Sequence, residues 1–231
     1  LASHQKAAAA QKADKFDEEI VAIWAPERFE AVERDNLIRG DTALEKLASI
    51  RPAFDKAYGT ITAGNSSALT DGASVALITD ESRARALGLK PKSRIIDSFF
   101  VGVDPTEQLL IGPAVVIPYL LKRNGLTLEN IDLFEIHEAF AAQVLSCLKA
   151  MESKDFCQRY FGDSKAFGTI PDEKLNVNGG ALAIGHPFGA TGARLVTTLS
   201  NELIRSNKNL GLIAICAAGG MAGAMLIEHI A

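Results

Sequence analysis

The sequence predicts an α/β fold built on a mostly parallel sheet, and three observations predict it. From Pro91 onward, apolar runs of strand length alternate with runs of helical periodicity in the order βαβαβαββ, which makes five strands. The reactive side chains His137, His186 and Cys216 each fall at or just beyond the end of a predicted strand, where open α/β sheets bind ligands. The uncharged stretch Leu210–Ile227 has Gly219-Gly220 in its middle, so it reads as a hairpin of two buried strands, with a membrane helix as the competing reading.

The elements follow in order. LASHQKAAAAQKADKF reads as an Ala-rich helix, and EEIVAIW as strand-like. A charged connection, PERFEAVERDNLIRGDT, leads to the short helix TALEKLASI, with Leu44, Leu47 and Ala48 on one face. GTITAGNSSALTDG is small and polar. ASVALITD predicts a strand, and ESRARALG a short helix. RIIDSFFVGV is the first strand of the regular region. A helix between Gly112 and Gly125 ends in KRNG, a cationic terminus with a glycine stop, and contains Pro118, so it kinks or starts late. DLFEIHE is a strand. EAFAAQVLSCLKAM is a helix with Phe140, Val144 and Leu148 stacked. A polar insertion spans Glu152–Lys174, and LNVNGG reads as a further strand end. TGARLVTTLSNELIR is a helix with Leu195, Leu199 and Leu203 on one face, and the hairpin closes the chain.

Composition narrows the function. With 231 residues, 48% of them hydrophobic, the chain can bury a sizeable core in one or two domains. Basic residues number 24 against 28 acidic, with no basic block, which argues against nucleic acid as a partner. Three cysteines, an odd number without a CxxC pair, speak against a disulfide framework and for a reducing compartment. The chain opens on Leu1 and has no basic head followed by an unbroken apolar run. It reads as a fragment cut at its amino terminus, without a signal sequence or transmembrane segment.

NVNGGALAIGHPFGATGARL, Asn176–Leu195, sets a single histidine among five glycines. Pro187 biases His186 toward extended backbone, and the glycines let a substrate approach the main chain. A Walker loop would need GxxxxGK[ST], and no such lysine is present. The spacing Gly185, Gly189, Gly192 does not match GxGxxG. Zinc would need three or four ligands; His137, His186 and Cys216 could supply three, but no close-spaced pair supports a metal site. Proton transfer remains, since an imidazole beside a thiol is the usual means of activating cysteine. Read singly, His137 could be a structural histidine and Cys216 a small buried hydrophobe.

HEAF at 137–140, NVNGGALAIGHPFGATGAR at 176–194 and CAAGGM at 216–221 resemble the three C-terminal signatures of thiolases. TAGNSSALTDGAS at 62–74 is similar to the family's substrate-loop motif, and RPAF at 51–54 also matches. HEAF and QLLIGP look most like the trifunctional-enzyme β-subunit group of 3-ketoacyl-CoA thiolases. The resemblance implies a thiolase fold with a mixed five-stranded sheet. Residues 1–70 would belong to a loop domain, 71–90 would be the last strand and helix of an N-terminal domain, and 91–231 the C-terminal domain. It implies an acyltransferase of fatty acid β-oxidation that converts 3-ketoacyl-CoA and CoA to acetyl-CoA and a shortened acyl-CoA. Coenzyme A would be substrate, with no other cofactor and no metal. The whole protein would be a homodimer, possible partner of a hydratase/dehydrogenase α-subunit, mitochondrial in a eukaryote and cytoplasmic in a bacterium.

By position, His186 would take the nucleophile's proton and help to form an oxyanion hole. The group at His137 would hold the fellow donor of that hole, though many thiolases carry Asn there. Cys216 would be the second acid/base, its thiol pKa lowered toward the working pH. CAAGG departs from the family's CxGGG at Ala218. Arg39 would lie at the nucleotide end of CoA. Phe54, Ala63 and Ser67 would lie along the pantetheine, with Ala139 and Phe140 lining the same tunnel. The family's nucleophilic cysteine belongs to the N-terminal half, and none of the three cysteines here has a matching context, so the fragment would be inactive alone. A non-catalytic CoA- or lipid-binding module is the alternative, and a zinc hydrolase a distant third.

Overall fold

The computed structural model of the chain describes residues 1–24, 26 and 29–230. Ala25, Glu27, Arg28 and Ala231 lie outside the described residues, and with them parts of the predicted charged connection and the last residue of the predicted C-terminal domain.

The first helix, α1 (Ala2–Lys12), buries Ser3, Ala7 and Ala10, a narrow stripe that lets it lie close to its neighbour. The strand expected over EEIVAIW is reduced to β1 (Ile23–Trp24), paired antiparallel with β2 (Ala31–Val32). Helix α2 (Leu44–Ala48) forms as expected but buries nothing. Helix α3 (Glu81–Ala86) starts at Asp80, whose carboxylate accepts the Arg83 N–H. The strand expected at ASVALITD is absent. Val75, Leu77 and Ile78 are exposed, and no described strand lies alongside to take up their backbone groups.

The sheet is built from four strands among the described residues. Strand β3 (Ser93–Gly102) comes first, followed by α4 (Pro105–Gln108) and α5 (Gly112–Arg123). Pro118 sits inside α5, which stays one helix because nearly every residue of it is buried against the sheet. Next come β4 (Leu133–Ile136), α6 (Ala141–Met151) and α7 (Lys154–Phe161), the last lying within the polar insertion. Then follow α8 (Ala181–Ile184), α9 (Thr191–Ser206), β5 (Leu210–Ala217) and β6 (Met221–His229). The order across the sheet is β3-β6-β5-β4, with β4–β5 parallel and the other pairs antiparallel.

The predicted fifth strand, LNVNGG, fails for a local reason. Leu175 makes one parallel bridge to Phe134, but Asn176 turns to a left-handed φ of 44° and leaves the extended path. Its side-chain amide then replaces the missing strand. Oδ1 accepts the Ile136 N–H at 2.8 Å, and Nδ2 donates to the Ile136 carbonyl at 2.9 Å.

Helices cover both faces of the sheet. Phe134, Ile136, Leu212, Ala214 and Leu226 pack against α5 and α6, while Leu133, Ile213 and Ile227 pack against Leu195, Leu199 and Leu203 of α9. Alternate strand residues thus face two apolar layers, which explains why the last two strands read as one continuous apolar run. Their turn uses Gly219 and Gly220 at φ 89° and 75°, as the hairpin reading requires. No helix among the described residues is long and apolar enough to cross a membrane.

Candidate functional site

The carboxyl end of the β4–β5 pair carries the reactive groups. His137 follows β4, and its N–H extends the parallel ladder to the Ala214 carbonyl at 2.9 Å. Its ring is buried, 1% of the residue being exposed, and neither ring nitrogen has a hydrogen-bond partner among the described residues. Cys216 stands two residues beyond Ala214 on β5, also buried.

His186 arrives from the loop between α8 and α9. Its ring lies over that of His137, with centroids 3.9 Å apart and planes at 44°. Two threonines hold it: its backbone N–H donates to Thr70 Oγ1 at 3.2 Å, and its Nδ1 meets Thr191 Oγ1 at 2.6 Å. The Thr191 hydroxyl donates to the Pro187 carbonyl at 3.1 Å. Its oxygen is then the acceptor for an Nδ1–H, which leaves Nε2 of His186 with the free lone pair of a base. The Phe188 ring lies tilted against that of His186, with centroids 4.8 Å apart, and a 340 Å³ open pocket is lined by Leu69, Thr70, Asp71, His186 and Phe188.

The electrostatics favour neutral groups. Burial, helped by the charges of His186 and Arg194, brings the His137 pKa down to about 3. Burial and then Arg194 lower that of His186. Burial, with a contribution from the neighbouring Cys147, pushes the Cys216 thiol up to about 12. This corrects the expectation that the site lowers it: the strand end is covered by packed side chains, and no cation is among the causes acting on the thiol. Cys147 and Cys157 are fully buried.

The residues expected along CoA divide into two sets. The Ser67 N–H donates to the Ala139 carbonyl at 2.9 Å, Ser66 bridges Phe140, and the Ala141 N–H donates to Asn65. Ser67, Ala139 and Phe140 are therefore joined directly, just after His137. Ala63 lies in the turn that begins at Thr62, and the Pro52–Thr62 bridge brings the exposed Phe54 alongside. Arg39 is not tied to this group; its backbone N–H donates to His4 Nδ1 at 3.1 Å. Among the described residues, no three His, Cys, Asp or Glu side chains converge as a metal-holding group.

Four participants escaped sequence reasoning: Thr70, Thr191, Glu138 and Arg194. Thr191 lies five residues after His186, near the start of a helix, and that spacing was a usable signal. Arg194 is one turn further along α9, with Nη1 and Nη2 buried and unpartnered among the described residues.

Fold and site together define the class: an α/β domain with His137 and Cys216 at the ends of two adjacent parallel strands and His186, from the α8–α9 loop, set against His137. The thiolase C-terminal domain matches residues 89–229, and the thiolase N-terminal domain matches residues 1–82. The chain belongs to the thiolase family. It is 50% identical over 228 residues to a probable 3-ketoacyl-CoA thiolase of Caenorhabditis elegans, covering 99% of this chain and 51% of that protein. It is 47% identical over 228 residues to the mitochondrial trifunctional enzyme subunit beta of Rattus norvegicus, covering 99% of this chain and 47% of that one. The crystal structure of human mitochondrial 3-ketoacyl-CoA thiolase in complex with CoA superposes with a TM-score of 0.81 at 33% identity, covering 99% of this chain and 52% of the other. The chain thus spans about half the length of the relatives it matches.

Proposed function

We propose that the chain is the carboxyl-terminal part of a 3-ketoacyl-CoA thiolase of fatty acid β-oxidation. The observation that carries this reading is the His137–His186 ring contact, 3.9 Å between centroids, at the end of β4, which runs parallel to the strand that ends near Cys216. The names of the relatives at 50% and 47% identity support the substrate class. The CoA complex of the human thiolase supports coenzyme A as substrate. No other cofactor enters the reading.

A cysteine from the amino-terminal half, outside this chain, gives its thiol proton to Nε2 of His186. Its sulfur attacks the 3-keto carbon. The C2–C3 bond breaks, its electron pair passes to C2, and the Cys216 thiol protonates C2 to release acetyl-CoA. A thiol held near pKa 12 begins this step protonated, as an acid must be. The CoA thiol then gives its proton to the Cys216 thiolate and attacks the acyl-enzyme carbonyl; the bond to the enzyme sulfur breaks, the shortened acyl-CoA leaves, and the nucleophilic cysteine takes its proton back from His186. His186 and a donor held by His137 stabilise the oxyanion, where removal of one donor costs roughly 3 kcal/mol of barrier. Ser67, Ala139, Phe140, Ala63 and Phe54 flank the pantetheine, and Arg39 the nucleotide end.

Residues 1–70, 71–90 and 91–231 correspond in this reading to a loop-domain part, the last segment of the N-terminal domain and the C-terminal domain. The whole protein is a homodimer. Similarity to trifunctional enzyme subunit beta supports a hydratase/dehydrogenase partner, and a mitochondrial or bacterial-cytoplasmic setting.

Without the nucleophile the chain alone forms no acyl-enzyme. Incubation with a 3-ketoacyl-CoA, followed by intact-protein mass spectrometry, gives no adduct. A rapid acyl shift mapping to Cys216 would show nucleophile and acid exchanged. Failure of the chain to bind CoA at all would remove the reading.

A further inference from the structure

Glu138 is the next residue after His137, yet the mechanism above does not use it. Its carboxylate is buried, with 8% of the residue exposed, and no salt bridge to it is found among the described residues. Neutral donors satisfy it instead. The Ser3 hydroxyl donates to Oε2 at 2.7 Å, the Leu182 N–H donates to Oε2 at 3.2 Å, and the Asn176 amide donates to Oε1 at 3.0 Å. Ser3 Oγ in turn accepts the Gly180 N–H at 3.0 Å.

These four donors come from three places that the chain must hold in register. Asn176 lies beside the end of β4, Gly180 and Leu182 begin the turn that leads to His186, and Ser3 belongs to the docked first helix. Gly180 is pressed so closely that a Cβ there would stand 2.5 Å from the carboxylate. The carboxylate thus fills the space that a side chain at residue 180 would need.

The need for such a clamp is visible in the histidines. His186 is held by Thr70 and Thr191. His137 has no hydrogen bond to either ring nitrogen among the described residues, so its ring is placed by packing and backbone alone. Asn176 ties the backbone before His137, and Glu138, directly after it, ties that backbone to the segment that leads to His186.

We infer that Glu138, bridged by Ser3, is a positioning residue that sets the contact between the His137 and His186 rings. A carboxylate suits the task because both oxygens accept, and three donors converge on them. Glu138→Gln keeps the volume but turns one oxygen into a donor, which opposes one of the three. Ser3→Ala keeps the carboxylate and removes only the bridge. The inference rests on the proposed function for its kinetic consequence, not for its geometry.

Imidazole proton NMR of the chain tests it, with His137→Ala, whose His186 feels no ring current from residue 137, as the reference. Glu138→Gln and Ser3→Ala should each move the His186 ring resonances toward that reference. In a polypeptide joining the chain to a relative's amino-terminal half, Glu138→Gln should lower kcat at least about tenfold with KM changed less, since small misplacements of reacting groups are costly. Wild-type His186 resonances in folded Glu138→Gln would overturn the inference. Should that variant fail to fold, Ser3→Ala decides by the same resonances. Shifted resonances with no thiolysis by the unsubstituted protein would leave the clamp intact and remove the function.

Discussion

His186 Nδ1 lies 2.6 Å from the Thr191 hydroxyl, which also reaches the Pro187 carbonyl at 3.1 Å. One hydroxyl proton cannot serve both. Donation to the carbonyl makes the threonine oxygen an acceptor and fixes the Nδ1–H tautomer. Nitrogen-15 shifts of the imidazole should show His186 protonated at Nδ1 near neutral pH. Thr191→Val should release that preference. A dominant Nε2–H tautomer in the unsubstituted chain would remove the base from the proposed mechanism.

Stability should fall on both sides of a mildly acidic optimum. His137 in the folded chain titrates at about 3 against 6.5 ordinarily, so unfolding takes up a proton between those values and stability drops as pH falls through them. Burial pushes Glu135 the other way, to about 8 from 4.5, so the folded chain holds the extra proton and stability drops as pH rises from 4.5 to 8. Glu135→Gln should therefore raise stability at pH 8 by on the order of 4 kcal/mol, and change it little at pH 4.5. Denaturant unfolding across pH checks this. An unchanged high-pH slope in the variant would refute the assignment.

All three thiols should resist alkylation in the native chain. Cys147 and Cys157 are fully covered, and Cys216 is covered to within 5% and held protonated. Iodoacetamide labelling with peptide mapping should find Cys216 modified first but slowly, and all three modified at once in denaturant. Fast native labelling of Cys216 would mean that the thiol is ionised and exposed.

Asn176 combines a left-handed backbone with a strand-mimicking amide. Asn176→Gly keeps the first and loses the second, leaving the buried Ile136 N–H and carbonyl unpaired, at roughly 2–4 kcal/mol. Asn176→Ala should lose about 1–2 kcal/mol more, because a Cβ disfavours φ of 44°. Equal losses would show that the backbone conformation is unstrained.

Much of this was legible beforehand, for physical reasons that differ by element. Helix α9 and the β5–β6 hairpin announce themselves by leucine periodicity and a glycine pair. The motif loops stand out because glycines and reactive groups crowd them. LNVN and ASVALITD failed because alternating apolar residues mark strand capacity, not the presence of a neighbour to pair with. The amide substitution by Asn176 and the exposure of Val75 both depend on partners that no local pattern carries. The His137–His186 contact spans 49 positions and follows from sheet register, and the raised Cys216 pKa follows from helices packed over β5.

In the proposed reaction His186 is the proton acceptor for a thiolase nucleophile. The direct measurement is 3-ketoacyl-CoA thiolysis, read as acetyl-CoA release, by a polypeptide joining this chain to the amino-terminal half of a relative. His186→Ala should lower kcat at least about a hundredfold with a smaller change in KM, since it removes both a base and an oxyanion donor. Turnover near that of the unsubstituted protein would contradict the account.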